Sequence, residues 1–268
     1  MNIDGVYFES SEVTKLCIIN SFSDELADIL KNNLVSICEG GYRNLNQDGI
    51  YTYERTIKEL YRRIIGKPEK MKKGMVGELL AHVLLKRYIT NLIPMSPLFN
   101  LEESNIKKGF DIIYTDLGSR DVWITEVKSG NRGDEESANK KNISLLKNAK
   151  KDLEESIKGN KSGRWRNALN GVDISQRNKN ETKYVQNILK DGLDAAEAEK
   201  GKSDVHNAIL VSVVYSNVRD PIDIEVINKD LSKICNAKVF KEFILFSIQK
   251  STYQKVINFI KAEASNEY

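Results

Sequence analysis

The sequence predicts an α/β protein in which a central mixed sheet is flanked by helices. Three observations carry that expectation. Ala208-Ile-Leu-Val-Ser-Val-Val-Tyr215 is nearly continuous apolar sequence, as expected of a strand buried on both faces. Asp111-Ile-Ile-Tyr114 and Val122-Trp-Ile-Thr-Glu-Val-Lys128 are extended apolar runs joined through Gly118-Ser119, a turn signal for antiparallel strands. Between Met71 and Ile93 apolar residues recur at helical spacing, with Met75, Leu79 and Val83 on one line and Val76, Leu80 and Leu84 on the next.

The elements follow in order. Residues 1–68 read as mostly helical after an extended start. Ser23-Asp-Glu-Leu26 is an N-cap with acids in the first turn, Leu26, Ile29, Leu30, Leu34 and Ile37 form one apolar face, and Gly40-Gly41 ends it. Tyr53 to Ile65 reads as a second helix stopped by Gly66 and Pro68. Residues 69–268 read as the main domain. The 71–93 helix opens it, a short extended piece is expected near Pro97-Leu-Phe99, and the hairpin follows. Residues 131–206 are polar and rich in Lys and Asn, with breaks at Gly159, Gly163 and Gly171. They read as a basic helical insertion, with a mobile loop around 160–180. The strand 208–215, a turn at Asp220-Pro221, a short helix, a strand from Phe240 to Ile248 and a terminal helix from Thr252 complete the core.

Composition excludes several classes. With 268 residues, 40% of them hydrophobic and 29% charged, the chain has material for a sizeable core and is expected to be soluble. No run approaches the ~20 apolar residues of a membrane span, so no membrane partner is expected. The start, Met-Asn-Ile-Asp-Gly, has neither a basic nor an apolar leader segment, so cytoplasmic residence is the default. Cys17, Cys38 and Cys235 are far apart and form no paired motif for zinc or a disulfide framework. Gly201-Lys-Ser203 ends like a phosphate-binding loop, but Ala196 stands where its first glycine belongs and helix-like sequence precedes it. There is no GxSxG, which argues against acyl transfer. His82 lies four residues from Glu78 and reads as a core-side histidine.

The chemistry concentrates in the hairpin. Residues two apart on a strand share a face, so Glu126 and Lys128 point the same way. With Gly118-Ser119 as a two-residue loop, Leu117 faces Arg120, and counting outward sets Asp111 directly opposite Glu126, with Cβ atoms roughly 5 Å apart. Two opposed carboxylates repel. Lys128 compensates in part, and a divalent metal compensates more, because carboxylates are natural ligands of Mg²⁺. That is the equipment of a metal-dependent phosphodiesterase. Glu78 sits beside the core-facing stripe of its helix, where a carboxylate is costly unless paired. Gly74 and Gly77 flank it and would let the helix approach a sheet. Lys107-Lys108-Gly109-Phe110 precedes Asp111, and Gly109 falls opposite Lys128, leaving room beside the amine.

The basic charge is also concentrated. Residues 1–70 carry nine Lys/Arg against eleven Asp/Glu, whereas residues 138–170 carry nine against three. Lys140, Lys141 and Lys161-Ser-Gly-Arg-Trp-Arg166 belong to that stretch. Cationic Lys161, Arg164 and Arg166 around the ring of Trp165 suit phosphate contact and base stacking, and so predict nucleic-acid binding.

Glu78, Asp111, Glu126 and Lys128, in helix–strand–strand order, resemble the PD-(D/E)XK nuclease superfamily. Gly77-Glu-Leu-Leu-Ala-His-Val-Leu-Leu85, Lys108-Gly-Phe-Asp111 and Trp123-Ile-Thr-Glu-Val-Lys128 are similar to one branch, the HamA nuclease subunit of Hachiman anti-phage defence. Phe110 replaces the superfamily's proline. The resemblance implies a restriction-endonuclease-like core and a metal-dependent DNA endonuclease. It implies Mg²⁺ or Mn²⁺ held by Asp111, Glu126 and the Val127 carbonyl, with Lys128 positioning the attacking water and Glu78 touching the metal through water or orienting a ligand. It also implies a HamB-like helicase partner subunit. The alternatives are a restriction or repair nuclease of the same superfamily, or a non-catalytic subunit that binds nucleic acid or a partner.

Overall fold

The computed structural model describes residues 2–41, 49–99, 109–116, 118–159, 161–175, 179–236 and 238–266. Lys107, Lys108 and Leu117 lie outside the described residues.

Seven strands form one mixed sheet: β1 (Val6–Ser10), β2 (Thr14–Ile19), β3 (Leu92–Pro94), β4 (Ile112–Asp116), β5 (Val122–Asn131), β6 (Asn207–Tyr215) and β7 (Phe243–Lys250). Their spatial order is β1-β2-β7-β6-β5-β4-β3. The inner pairs β2/β7, β7/β6 and β6/β5 are parallel, and the outer pairs are antiparallel. The expected mixed sheet is therefore present. All nine residues of β6 are buried, as its unbroken apolar sequence requires of a central parallel strand.

Helices cover both faces. α1 (Asp24–Glu39), α2 (Tyr53–Ile65), α3 (Glu69–Tyr88) and the terminal α9 (Gln254–Ser265) share a core with Val127, Val211, Val213 and Phe246. α4 (Ala138–Lys158), α5 (Ser162–Ser175), α6 (Lys179–Glu197), α7 (Ile224–Lys229) and α8 (Leu231–Ile234) follow on the other side. Those five pack with Ile124, Leu210, Val214 and Leu245.

The N-terminal 68 residues supply β1 and β2 to the common sheet and α1 and α2 to the first core. The Ser23 hydroxyl caps α1 by accepting from the Leu26 N–H at 3.2 Å. Within 131–206, α4 is the crossover between parallel β5 and β6, and it buries Leu145, Leu146, Ala149 and Leu153. It is part of the sheet's cover, as a parallel connection demands. Where a loop is expected around 160–180, the chain forms α5, pinned by buried Trp165, Ala168 and Val172. α3 stops at Tyr88, earlier than its apolar pattern predicts, and Leu92–Pro94 becomes an edge strand instead of the piece near Pro97.

The hairpin register is the expected one, reached by a different turn. Ile112 pairs with Thr125 and Tyr114 with Trp123, so Asp111 falls opposite Glu126. The positive φ belongs to Arg120, at 62°, rather than to Gly118. Asp116 closes the loop. Its N–H donates to the Asp121 carbonyl, its carbonyl accepts from Arg120, and its carboxylate accepts from the Gly118 and Ser119 N–H groups at 2.7 and 2.9 Å. An aspartate that caps two backbone donors organises a turn without a left-handed glycine.

Candidate active site

β4 begins at Ile112, opposite Thr125, whereas β5 runs on to Asn131. Beyond that last pairing, the edge of β5 faces a cleft of about 590 Å³. Glu78, Asp111, Glu126, Val127 and Lys128 line one side, and Lys161, Gly163, Arg164 and Asn167 of the α5 segment line the other. The four positions singled out in the sequence thus converge on one cavity.

Each arrives for a local reason. Glu126 and Lys128 alternate out of the apolar set, and the Lys128 ammonium donates to Glu126 Oε1 at 2.6 Å. Asp111 precedes β4, and its Oδ2 accepts from the Val127 N–H at 2.6 Å. Val127's side chain is buried in the opposite core, so its main chain is what it offers the cleft. In a strand the N–H and C=O of one residue leave toward the same edge. The Val127 carbonyl therefore faces the side on which Asp111 lies. Glu78, half-buried, comes from α3 on the sheet's other face. That helix lies unusually close to β5. A Cβ on Gly77 would stand 2.9 Å from Ser129 Cβ, so this glycine is required by the approach. Gly74 has no neighbour within 4 Å of such a Cβ and plays no comparable part.

The electrostatics are strained in a specific way. Glu126 is 2% exposed, and its second oxygen, Oε2, meets Arg164 at 3.3 Å. Lys128 makes a further ion pair with Asp152 of α4 at 2.9 Å. Burial, then the charge of Glu126, pushes the Asp111 carboxyl well above the usual carboxylate range, against the Val127 N–H, Lys128 and Arg164. Burial opposes protonation of Lys128, but the Glu126 charge and the hydrogen bonds that the ammonium donates to Glu126 and Asp152 outweigh it and raise its pKa. Lys128 is therefore a fixed ammonium. It can orient a water or meet anionic charge, and it cannot serve as a base near neutrality.

The basic segment divides. Trp165 is fully buried, edge-on to Phe110 with ring centroids 4.8 Å apart and beside His206. A Cβ on Gly192 would fall 2.3 Å from the Trp165 ring, which explains that glycine within α6. The expected stacking surface is thus a core residue, and no base reaches it. Arg166 is exposed and pairs with Glu197. Lys161 is exposed at the cleft rim. Lys140 is exposed on α4, away from the cleft lining, and Lys141 lies against Gly130 and 3.8 Å from Glu136. Asp152 and Asn167 escaped the sequence reading. Nothing in Lys150-Lys151-Asp152 distinguishes that acid from an ordinary helix-surface charge.

Among the described residues, no group of three or more His, Cys, Asp or Glu is placed to hold a metal. Two carboxylates and a backbone carbonyl remain, a set suited only to a hard cation that keeps several waters. Also among the described residues, no helix is long and apolar enough to cross a membrane. The model of one protein family, HamA, matches residues 5–264. No curated protein matches the chain.

Proposed function

The chain belongs to the HamA family, and on that premise we propose that it is a metal-dependent DNA endonuclease, the effector subunit of Hachiman anti-phage defence, acting with a helicase subunit. One observation carries the reading: Asp111 and Glu126 oppose each other on one wall of a cleft, with Lys128 on the same strand face. The donor set fits Mg²⁺ or Mn²⁺. Two carboxylates share the site, Glu126 buried and Asp111 half-buried, and burial together with the Glu126 charge drives Asp111 toward its neutral form, which added positive charge would offset. A divalent cation bound there would supply that charge, stabilise a phosphate under attack and acidify a water.

The chain's own groups do the rest. Asp111, Glu126 and the Val127 carbonyl would hold the cation, and Glu78 would reach it through water or orient a ligand. Lys128 keeps its proton, positions the attacking water with that ammonium and meets the charge that develops on the phosphate. Asp152 of α4 holds the Lys128 ammonium through an ion pair at 2.9 Å. Lys161 at the rim favours an anionic substrate. Of the other basic residues expected to touch nucleic acid, Lys140, Lys141 and Arg166 are left as outlying phosphate contacts, and Trp165 is withdrawn.

A second reading has one observation behind it. Both Glu126 oxygens already meet cations, as in a structural ion network of a non-catalytic subunit that binds nucleic acid or a partner. Plasmid degradation by the purified chain separates the two. The nuclease reading expects cleavage with Mg²⁺ and none with EDTA. Binding without cleavage under both conditions would favour the second.

A further inference from the structure

The two cations on Glu126 differ in origin. Lys128 sits two residues along the same strand, so its contact is built into β5. Arg164 comes from the first turn of α5, on the far wall of the cleft, and meets Oε2 at 3.3 Å. That is long beside the ~2.7–2.9 Å of a good charge-assisted contact. Its side chain is 30% exposed, at the mouth rather than the floor. Asp152, Lys128, Glu126 and Arg164 therefore form a chain of alternating sign across the cleft. Asp111 stands outside it, and among the described residues its carboxylate accepts from a backbone N–H, that of Val127.

A divalent cation at the Asp111/Glu126 pair would put like charge against the Arg164 guanidinium at one oxygen. The weaker, longer contact gives way. The guanidinium is then at the mouth beside Lys161, with a planar fork that matches a phosphate. We propose that Arg164 has two working positions: on Glu126 while the metal site is open, and on a DNA phosphate once a cation has taken Glu126. This inference rests on the nuclease reading above. Its consequence is reciprocal coupling. The Arg164–Glu126 pair opposes metal binding, and a phosphate that draws Arg164 away removes the opposition. Metal and DNA then bind cooperatively, and the free protein holds its cation weakly.

The test is Mn²⁺ binding by calorimetry and electron paramagnetic resonance on the full chain, with and without a phosphorothioate DNA duplex. For the wild type, DNA should tighten Mn²⁺ by about fivefold or more. Arg164→Ala should bind Mn²⁺ more tightly than the wild type without DNA, by a similar factor, and DNA should no longer change it. Arg164→Gln, which keeps the bulk, gives the same readout if thermal melting shows the alanine variant to be unfolded. Mn²⁺ affinity in these variants equal to or weaker than the wild type's, without DNA, overturns the proposal. Glu126→Gln separates the two levels: it should lose Mn²⁺ binding. Undiminished binding in that variant would remove the metal site itself, and the nuclease reading with it.

Discussion

The two faces of the sheet are built from the same strands and differ in what they bury. On the face covered by α1, α2, α3 and α9, successive cross-strand rows read Val127–Val211–Phe246–Lys15 and Ser129–Val213–Ile248–Cys17. On the other, the rows read Glu126–Leu210–Leu245–Thr14 and Lys128–Ser212–Ser247–Leu16. There the Ser212 hydroxyl donates to Asn142 of α4 in the buried interior. The first face is the more apolar, its polar members in these rows, Lys15 and Ser129, lying half-buried at the row ends. The second carries ions and hydroxyls that cost stability: Glu126, Lys128 and Ser212 have partners, whereas the buried Thr14 hydroxyl has none among the described residues. Stability is concentrated on one side of the sheet and chemistry on the other, with β5 shared between them.

The largest expected effect breaks the first face. Phe246→Ala removes a fully buried ring and should cost about 3–5 kcal/mol of unfolding free energy, read by urea denaturation. If the contrast holds, cleavage by the folded fraction of that variant stays near wild type. The converse change is made on the second face. Asp111→Ala, Glu126→Ala and Lys128→Ala should each lower DNA cleavage by about a hundredfold or more while circular dichroism and melting show a folded chain. Wild-type cleavage by Lys128→Ala would end the mechanism proposed here.

A pH titration sharpens the comparison. His206 packs on Trp165, behind the α5 wall of the site, and burial lowers its pKa from 6.5 to about 4 despite the Asp204 charge. Its neutral form is favoured in the fold, so the unfolded chain binds the proton first. The associated stability is complete above pH 6.5 and is lost as the pH falls toward 4, a change on the order of 2–3 kcal/mol. Urea unfolding across that window should show the loss, and His206→Gln should flatten it. An unchanged pH profile in that variant would assign the acid sensitivity elsewhere.

The smallest effect concerns the contact between α3 and β5. Gly77→Ala places a methyl against Ser129 and should cost roughly 1–3 kcal/mol by overpacking. Because α3 also carries Glu78, cleavage should fall with it. Ser129→Gly in the same chain removes the Cβ in the way and should restore both stability and cleavage. Failure of the double variant to recover would mean that Gly77 matters for something other than this approach.

Much of this is legible in the sequence. Strand periodicity put Glu126 and Lys128 on one face, and counting from the turn put Asp111 opposite, since a slip of one residue would expose every apolar neighbour. The register survived a mistaken turn type because it is the hydrophobic alternation, together with the loop's length, that sets it. Gly77 signalled a close helix, and the unbroken run 208–215 signalled a central strand. The basic segment did not yield in the same way. Lys161 to Arg166 gave no means of telling that Trp165 turns into the core while Arg164 reaches Glu126. Along a strand the backbone itself dictates facing. A helix can rotate about its axis, and which side chains it commits inward depends on partners far away in sequence, here Phe110, Gly192 and His206. The sequence by itself determined the pair of carboxylates and their lysine. Only the tertiary structure decided which cation meets them across the cleft, because that contact joins residues 38 apart through the packing of α5.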